Sequence, residues 1–399
     1  MSLSDFQPVL RRIVEYCQQC HQQQPVIGKP SPNEDDLPIL ADLQTTIRIL
    51  ADENASVPTQ FAGLLTALTV AGLDRNEQII KTFVQAILSQ WNLGAGVVDR
   101  RPPITILPST RSATSLVLVA MASIRSTYCL SLKRPTGLMF PPLFFLRSLT
   151  HQHGNRASSS ASGSADLLMA VGIPLDALGP SQVSQLIQDP ELDFAFLYSP
   201  KFYPIFARLS PIRKSLGFPT IFNLLGPLLN PARPDRLIIG VTKPELGPIF
   251  CRVLQLCGSS KSWVVCSEEG LDEISTAGET SLWRLESDGS IVHERISPTK
   301  TFGLPCHSID LLTGESAQAN LQMLNDLLDG DFKTKKHEAI LDFVLLNASA
   351  LIVLSGKTND FKEGVKLARD SLVSGKAKAT IHSFREKAQS LTTPNGSKA

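Results

Sequence analysis

From Arg236 onward, two short β-branched runs, RLIIGV (236–241) and SWVVCS (262–267), flank the helical stretch PELGPIFCRVLQLCG (244–258). A strand, a helix and a second strand in that order read as a βαβ unit, so this stretch points to an α/β layer. TSLWRLESDGSIVHERIS (280–297) then alternates around Ser287-Asp288-Gly289, the pattern of a hairpin. Residues 316–329, 335–354 and 361–374 return to helical periodicity. Residues 5–92 follow the helical period throughout: Phe6, Leu10, Ile13 and Val14 form one stripe, and Leu40, Leu43, Ile47, Leu50 and Ala51 another. FAGLLTALTVAGL and IIKTFVQAILSQW supply two more apolar helices, and PVIGKPSPNEDDLP (25–38) is a proline-rich linker. The expected fold is α/β: a small N-terminal helical domain over 1–95, an anomalous segment over 96–152, and a larger α/β domain over 153–390 with a central, mainly parallel sheet. Residues 391–399 read as a disordered tail.

Of the 399 residues 43% are hydrophobic, enough for a large core, and 38 basic against 37 acidic residues leave a net charge of +1. No global field draws such a chain to nucleic acid or to anionic lipid, so neither a nucleic-acid nor a membrane partner is expected. Seven scattered cysteines suit a reducing, cytoplasmic setting. The start of the chain shows no basic-then-apolar signal segment, and no apolar run of membrane-spanning length is expected. The string CQQCH at Cys17, Cys20 and His21 matches a haem-attachment pattern. It lacks a further ligand and a second spaced pair for zinc, so it reads as surface residues of a helix.

Three motifs carry chemistry. HGNRASSSASGSAD (153–166) places hydroxyls and small residues at the mouth of a helix. The first turn of a helix leaves backbone N–H groups unpaired there, so the run is either an anion site or a serine-rich loop with an ordinary cap. SPIRKSLGFPTIFNLLGPLLNPARPDR (210–236) carries Arg213 beside Gly-Pro and Asn-Pro breaks, and a guanidinium there is either a carboxylate clamp or a solvated helix-end charge. EGLDEISTAG (269–278) follows a strand and brings Asp272 and Glu273 together, as oxygen ligands for Mg²⁺ or as a solvated acidic loop.

In this order and spacing the three strings resemble the anthranilate phosphoribosyltransferase family of tryptophan biosynthesis. The likeness extends from residue 153 to about 376, through LNASALIVLSGKTNDFKEGVKLARDSLVSGKA (346–377). It implies transfer of phosphoribose from phosphoribosyl pyrophosphate (PRPP) to the amine of anthranilate, with release of pyrophosphate and a need for Mg²⁺, in a cytoplasmic homodimer. By resemblance His153, Gly154 and Asn155 lie between the substrates, and Gln152, Ser158, Ser159, Ser160 and Ser162 belong to the PRPP segment. Arg213 matches the residue that grips the anthranilate carboxylate, and Asp272 and Glu273 the pair that holds Mg²⁺. No residue is assigned as a general base. The alternatives are an inactive homologue, a pyrimidine nucleoside phosphorylase of the same fold, and a non-catalytic nucleic-acid-binding homologue.

The chain departs from the family pattern at Gln152 (a lysine in the family), Tyr203 (a histidine) and Pro219 (an arginine). A larger departure precedes them. The glycine-rich GTGGDG loop is missing, and residues 100–152 contain no Asp, Glu or Asn, one Gly and seven Lys or Arg. Written as TTG-GTA-CTG-GTG-GCG-ATG-GC and read from the third base, the codons of Leu116 to Ala122 give Gly-Thr-Gly-Gly-Asp-Gly. Residues 100–150 therefore read as a frame-shifted translation, with a lineage-specific insert as the alternative. Glycines let backbone N–H groups approach a polyphosphate, whereas Leu116, Val117 and Leu118 favour burial. The written chain is expected to bind PRPP barely in calorimetry and to transfer no phosphoribose, and restoring the frame between about codons 100 and 150 recovers both. Turnover of anthranilate by the written chain at about 1 per second would overturn the frame-shift reading.

Overall fold

The computed structural model describes residues 3–22, 37–51, 58–90, 104–107, 150–154, 163–234 and 236–393. Most of the linker at 25–38, and Asn155, Ser158, Ser159, Ser160 and Ser162, lie outside these residues. Four helices open the chain: α1 (Leu3–Gln22), α2 (Leu40–Ala51), α3 (Pro58–Val70) and α4 (Glu77–Gln90). In α1 a four-residue spacing brings Val9, Ile13 and Cys17 onto one buried face. Cys17 is thus a core residue, which corrects the expectation of surface positions in CQQCH, and burial pushes its thiol up to about 11. The α3 and α4 faces that meet the rest of the protein carry Phe61, Leu64, Leu68 and Phe83, all buried. Asn76 opens α4 by accepting the Gln78 and Ile79 N–H groups at 3.1 and 3.2 Å.

The larger layer is a seven-stranded sheet of order β3-β2-β1-β4-β5-β6-β7. Its strands are β1 (Ile104–Leu107), β2 (Thr150–Gly154), β3 (Phe194–Tyr198), β4 (Arg236–Gly240), β5 (Lys261–Ser267), β6 (Thr280–Leu285) and β7 (Ile291–Ile296). The first five lie parallel, and β6 and β7 add an antiparallel edge. A mainly parallel central sheet was the expectation, and β4, the Leu246–Leu256 helix and β5 form the expected crossover unit. The hairpin also turns where expected: Gly289 donates to the Glu286 carbonyl at 2.9 Å, and Asp288 accepts from the Ser290 N–H at 2.9 Å. β1 and most of β2 come from the segment read as anomalous.

The helices Ala317–Asp329, Lys335–Ser355 and Phe361–Val373 match the three C-terminal helices that periodicity predicts. A fourth, Lys376–Thr392, went unpredicted because its apolar face (Ala377, Ile381, Phe384 and Ala388) is narrow and sits among Lys, Gln and Ser. Lys335–Ser355 is long and apolar enough to cross a membrane, against the expectation that no run reaches that length, yet 89% of the apolar window is buried within the fold. A helix apolar all round is the core element of a layered protein. Thr334 caps its start by accepting the His337 N–H at 3.2 Å. Arg236, the first residue of β4, closes its end, with Nη1 donating to the Leu354 and Ser355 carbonyls at 3.0 and 2.6 Å.

Close packing of this helix depends on small residues. Ser349 Oγ donates to the Phe361 carbonyl at 2.6 Å, and a Cβ on Gly364 would meet Ser349 Oγ at 2.5 Å and its Cα at 3.1 Å. Gly364→Ala is expected to lower stability by about 1–3 kcal/mol through overpacking. Gly63 in α3 has open space at its Cβ position, so Gly63→Ala should stabilise by about 0.5–1 kcal/mol. Denaturant titration of the two variants checks both signs.

Candidate active site at the carboxyl edge of the sheet

Because β1 to β5 run parallel, their carboxyl ends share one edge. The chain leaves β1 for β2 on one side, and β4 leads to β5 on the other, so the direction of winding reverses between β1 and β4. In open α/β sheets such a reversal leaves a crevice outside the strand ends where ligands bind. The three motif regions follow the carboxyl ends of β2, β3 and β5.

At the end of β2, Gln152, His153 and Gly154 pair with Phe196, Leu197 and Tyr198 of β3. The chain re-enters the described structure at Gly163, which opens the short Ser164–Ala170 helix. The Gly163 N–H is already taken by the Asp166 carboxylate at 2.9 Å. The hydroxyl of Ser164 is buried without a partner among the described residues. This helix mouth is therefore partly satisfied from within.

The chain leaving β3 forms Ser199–Phe202 and then Pro204–Leu216, with prolines at both helix starts, where no N–H is needed. Arg213 sits in the last turn of the second helix. A solvated helix-end charge does not describe it: its guanidinium carbon stands 5.7 Å from the Phe222 ring centroid, and its Nε is buried without an acceptor among the described residues. Loss of water lowers the guanidinium pKa from its ordinary value. Phe222 meets Phe61 of α3, Phe83 of α4 and Phe206 edge-on, with centroids 5.3, 5.8 and 5.9 Å away. This aromatic cluster joins the helical layer to the sheet layer and places Arg213 at the seam.

Tyr203 lines the same region. Its hydroxyl donates to the Leu229 carbonyl at 2.7 Å, and burial raises its pKa, so the phenol stays neutral. Nearby in sequence, Thr220 Oγ1 and Asn230 Nδ2 are also buried without partners. Arg213 Nε, Thr220 Oγ1 and Asn230 Nδ2 thus have no hydrogen-bond partner among the described residues.

The acidic motif forms the loop from Ser267 to Gly278. Glu268 and Glu269 are exposed, and Glu268 and Glu279 pair with Arg295, the latter at 2.7 Å. Glu273, by contrast, is only 5% exposed, and Asp272 is half-buried. The reading of a solvated acidic loop therefore fails at the pair itself. The loop is pressed against the end of β4, where a Cβ on Gly240 would collide with the Asp272 carbonyl. Only glycine permits that approach. On the far side the carboxamide of Asn347 clasps Ile274, with Oδ1 accepting its N–H at 3.2 Å and Nδ2 donating to its carbonyl at 2.9 Å. The His307 N–H adds a bond to the Thr276 carbonyl at 2.9 Å.

Two adjacent carboxylates are hard oxygen donors that suit Mg²⁺. Among the described residues no group of three or more His, Cys, Asp or Glu stands together to hold a metal. A separate cavity of about 160 Å³ lies between Leu312–Glu315 and the Ala317–Asp329 and Lys335–Ser355 helices. Its ionisable side chains are already engaged, Lys336 with Glu315 and His337 with Asp326. Sequence reasoning missed Asn347 and Gly240. A glycine ending a β-branched strand was the available signal for the second, while an asparagine inside LNASALIVL gave none.

Residues 150–378 match the family described as glycosyl transferase family, a/b domain. A curated relative from Schizosaccharomyces pombe, an anthranilate phosphoribosyltransferase, is 43% identical over 233 residues, which are 58% of this chain and 64% of that protein. The match thus spans a little under two thirds of that relative. Among solved structures, anthranilate phosphoribosyltransferase from Saccharomyces cerevisiae in complex with PRPP and Mg superposes with a TM-score of 0.77 at 25% identity, covering 98% of this chain and 99% of that one. The enzyme of the same name from Thermus thermophilus gives 0.72 at 28% identity, covering 94% and 99%.

Proposed function

Since the chain belongs to the glycosyl transferase family with the a/b domain, we propose that it is built to transfer phosphoribose from PRPP to anthranilate, with release of pyrophosphate. The observation that carries this reading is Arg213: a partly desolvated guanidinium with an unpaired Nε, set against aromatic rings, matches an aromatic carboxylate. In this reading Arg213 fixes the carboxylate of such a ligand. The amine is thereby aimed at the ribose carbon from which pyrophosphate departs with the bonding electrons. The new carbon–nitrogen bond forms as the carbon–oxygen bond breaks, and the amine then loses a proton. Asp272 and Glu273 would hold Mg²⁺, which supplies positive charge to the leaving pyrophosphate.

His153, Gly154 and Asn155 are proposed to lie between the two substrates, and Gln152, Ser158, Ser159, Ser160 and Ser162 to donate to PRPP phosphate. The helical residues 1–95 are proposed as a domain that pairs two copies, and the protein as cytoplasmic, in keeping with free thiols at all six described cysteines.

In a chain with the 100–150 frame restored, Arg213→Ala should raise KM for anthranilate about tenfold to a hundredfold, the equivalent of about 1.5–3 kcal/mol for a lost charge-assisted contact. The KM for PRPP should hardly move, and an equal rise in both would remove Arg213 from the carboxylate role. Changing Asp272 to Asn and Glu273 to Gln in one protein keeps their shape and removes their charge, so activity should then demand more Mg²⁺. An unchanged Mg²⁺ titration would show that the pair holds no metal.

A further inference from the structure

The acidic pair is gripped through the backbone on either side of it. Immediately after Glu273, the Ile274 N–H and carbonyl are both engaged by one carboxamide, that of Asn347. Asn347 Nδ2 also donates to the Phe343 carbonyl at 3.0 Å, one turn back in its own helix, so the amide cannot rotate without breaking several bonds. Before the pair, the Asp272 carbonyl rests on Gly240, where any side chain would collide. Two rigid elements, the end of β4 and the middle of the Lys335–Ser355 helix, therefore grip the residues on either side of the Asp272–Glu273 step.

We propose that Asn347 is a positioning residue, fixing Asp272 and Glu273 in the orientation that receives a divalent cation carried on pyrophosphate. This rests on the reading of the pair as metal ligands. An asparagine in the interior of an otherwise apolar helix weakens that helix and demands partners for its amide. Here its side chain spends all three observed bonds on backbone groups, two of them on the residue next to the pair. A group that orients a metal ligand through its backbone acts as an outer shell, and loss of such a partner commonly weakens metal binding about tenfold or more.

The test uses the full chain with its 100–150 frame restored as the parent, with Mn²⁺ plus pyrophosphate as the probe, titrated by electron paramagnetic resonance, together with amide hydrogen exchange over 268–278. Asn347→Ala should speed exchange at Ile274 by about tenfold and weaken Mn²⁺ binding by a similar factor. Asn347→Asp keeps an acceptor for the Ile274 N–H and loses the donor, so exchange at Ile274 should fall between the two. Ser355→Ala removes a hydroxyl bond to the Ile352 carbonyl in the same helix, far from the loop, and should leave Mn²⁺ binding unchanged even where it lowers Tm. If Asn347→Ala leaves exchange unchanged, or binds Mn²⁺ as the parent does, the positioning role is overturned while the metal reading stands. If the parent chain binds no more Mn²⁺ than the chain carrying Asp272→Asn and Glu273→Gln, the metal reading falls and takes the positioning role with it.

Discussion

A helix buried on nearly all sides has no solvent in which to hide its errors, and the Lys335–Ser355 helix imposes that condition on everything around it. Its last carbonyls find Arg236 at the start of β4, its middle asparagine reaches the loop after β5, and its serine at 349 admits the next helix at close range. Each contact is a part-buried hydrogen bond that satisfies a helix or loop backbone group otherwise left unpaired, so each is worth more than its fully exposed equivalent. One rigid rod thus sets the start of a central strand and the place of the acidic pair relative to each other.

The other half of the site follows a different logic. Arg213 has no carboxylate partner among the described residues, and its surroundings are aromatic rather than acidic. A charge kept partly from water and left unpaired destabilises the protein alone and strengthens its hold on an incoming anion. Phe222 softens the cost through its ring face, and its own position depends on Phe61 and Phe83 from the helical layer. Arg213 is therefore tied to how two layers pack, which no single motif encodes.

That division explains what could be read from residues alone. The crossover from Arg236 to Ser267 and the hairpin at Asp288 were legible because β-branched runs and turn residues act over a few positions. Arg213, Asp272 and Glu273 were legible as members of strings, while their burial was not, because burial depends on Phe61, Gly240 and Asn347 from distant parts of the chain. Cys17 shows the same limit in miniature. Its motif suggested a surface, and the four-residue register with Val9 and Ile13 turned it inward. The strand at Ile104–Leu107 was invisible for another reason: four residues carry little periodicity, and their neighbours in the sheet lie more than forty residues further on.

That short strand has a consequence for the life of the chain outside the site. β1 is the only link between β2 and β4 among the described strands, joining a two-stranded piece to a four-stranded one. Until Ile104–Leu107 docks, each piece presents a bare row of amide and carbonyl groups on a flank meant for the interior. Such rows pair readily with any other extended chain, including a second copy of the same piece. Central strands in parallel sheets normally escape this exposure because they are long and assemble with their neighbours. Here the closure of the sheet hangs on four residues, so conditions that crowd newly made chains together should send this protein toward aggregates before they touch its chemistry.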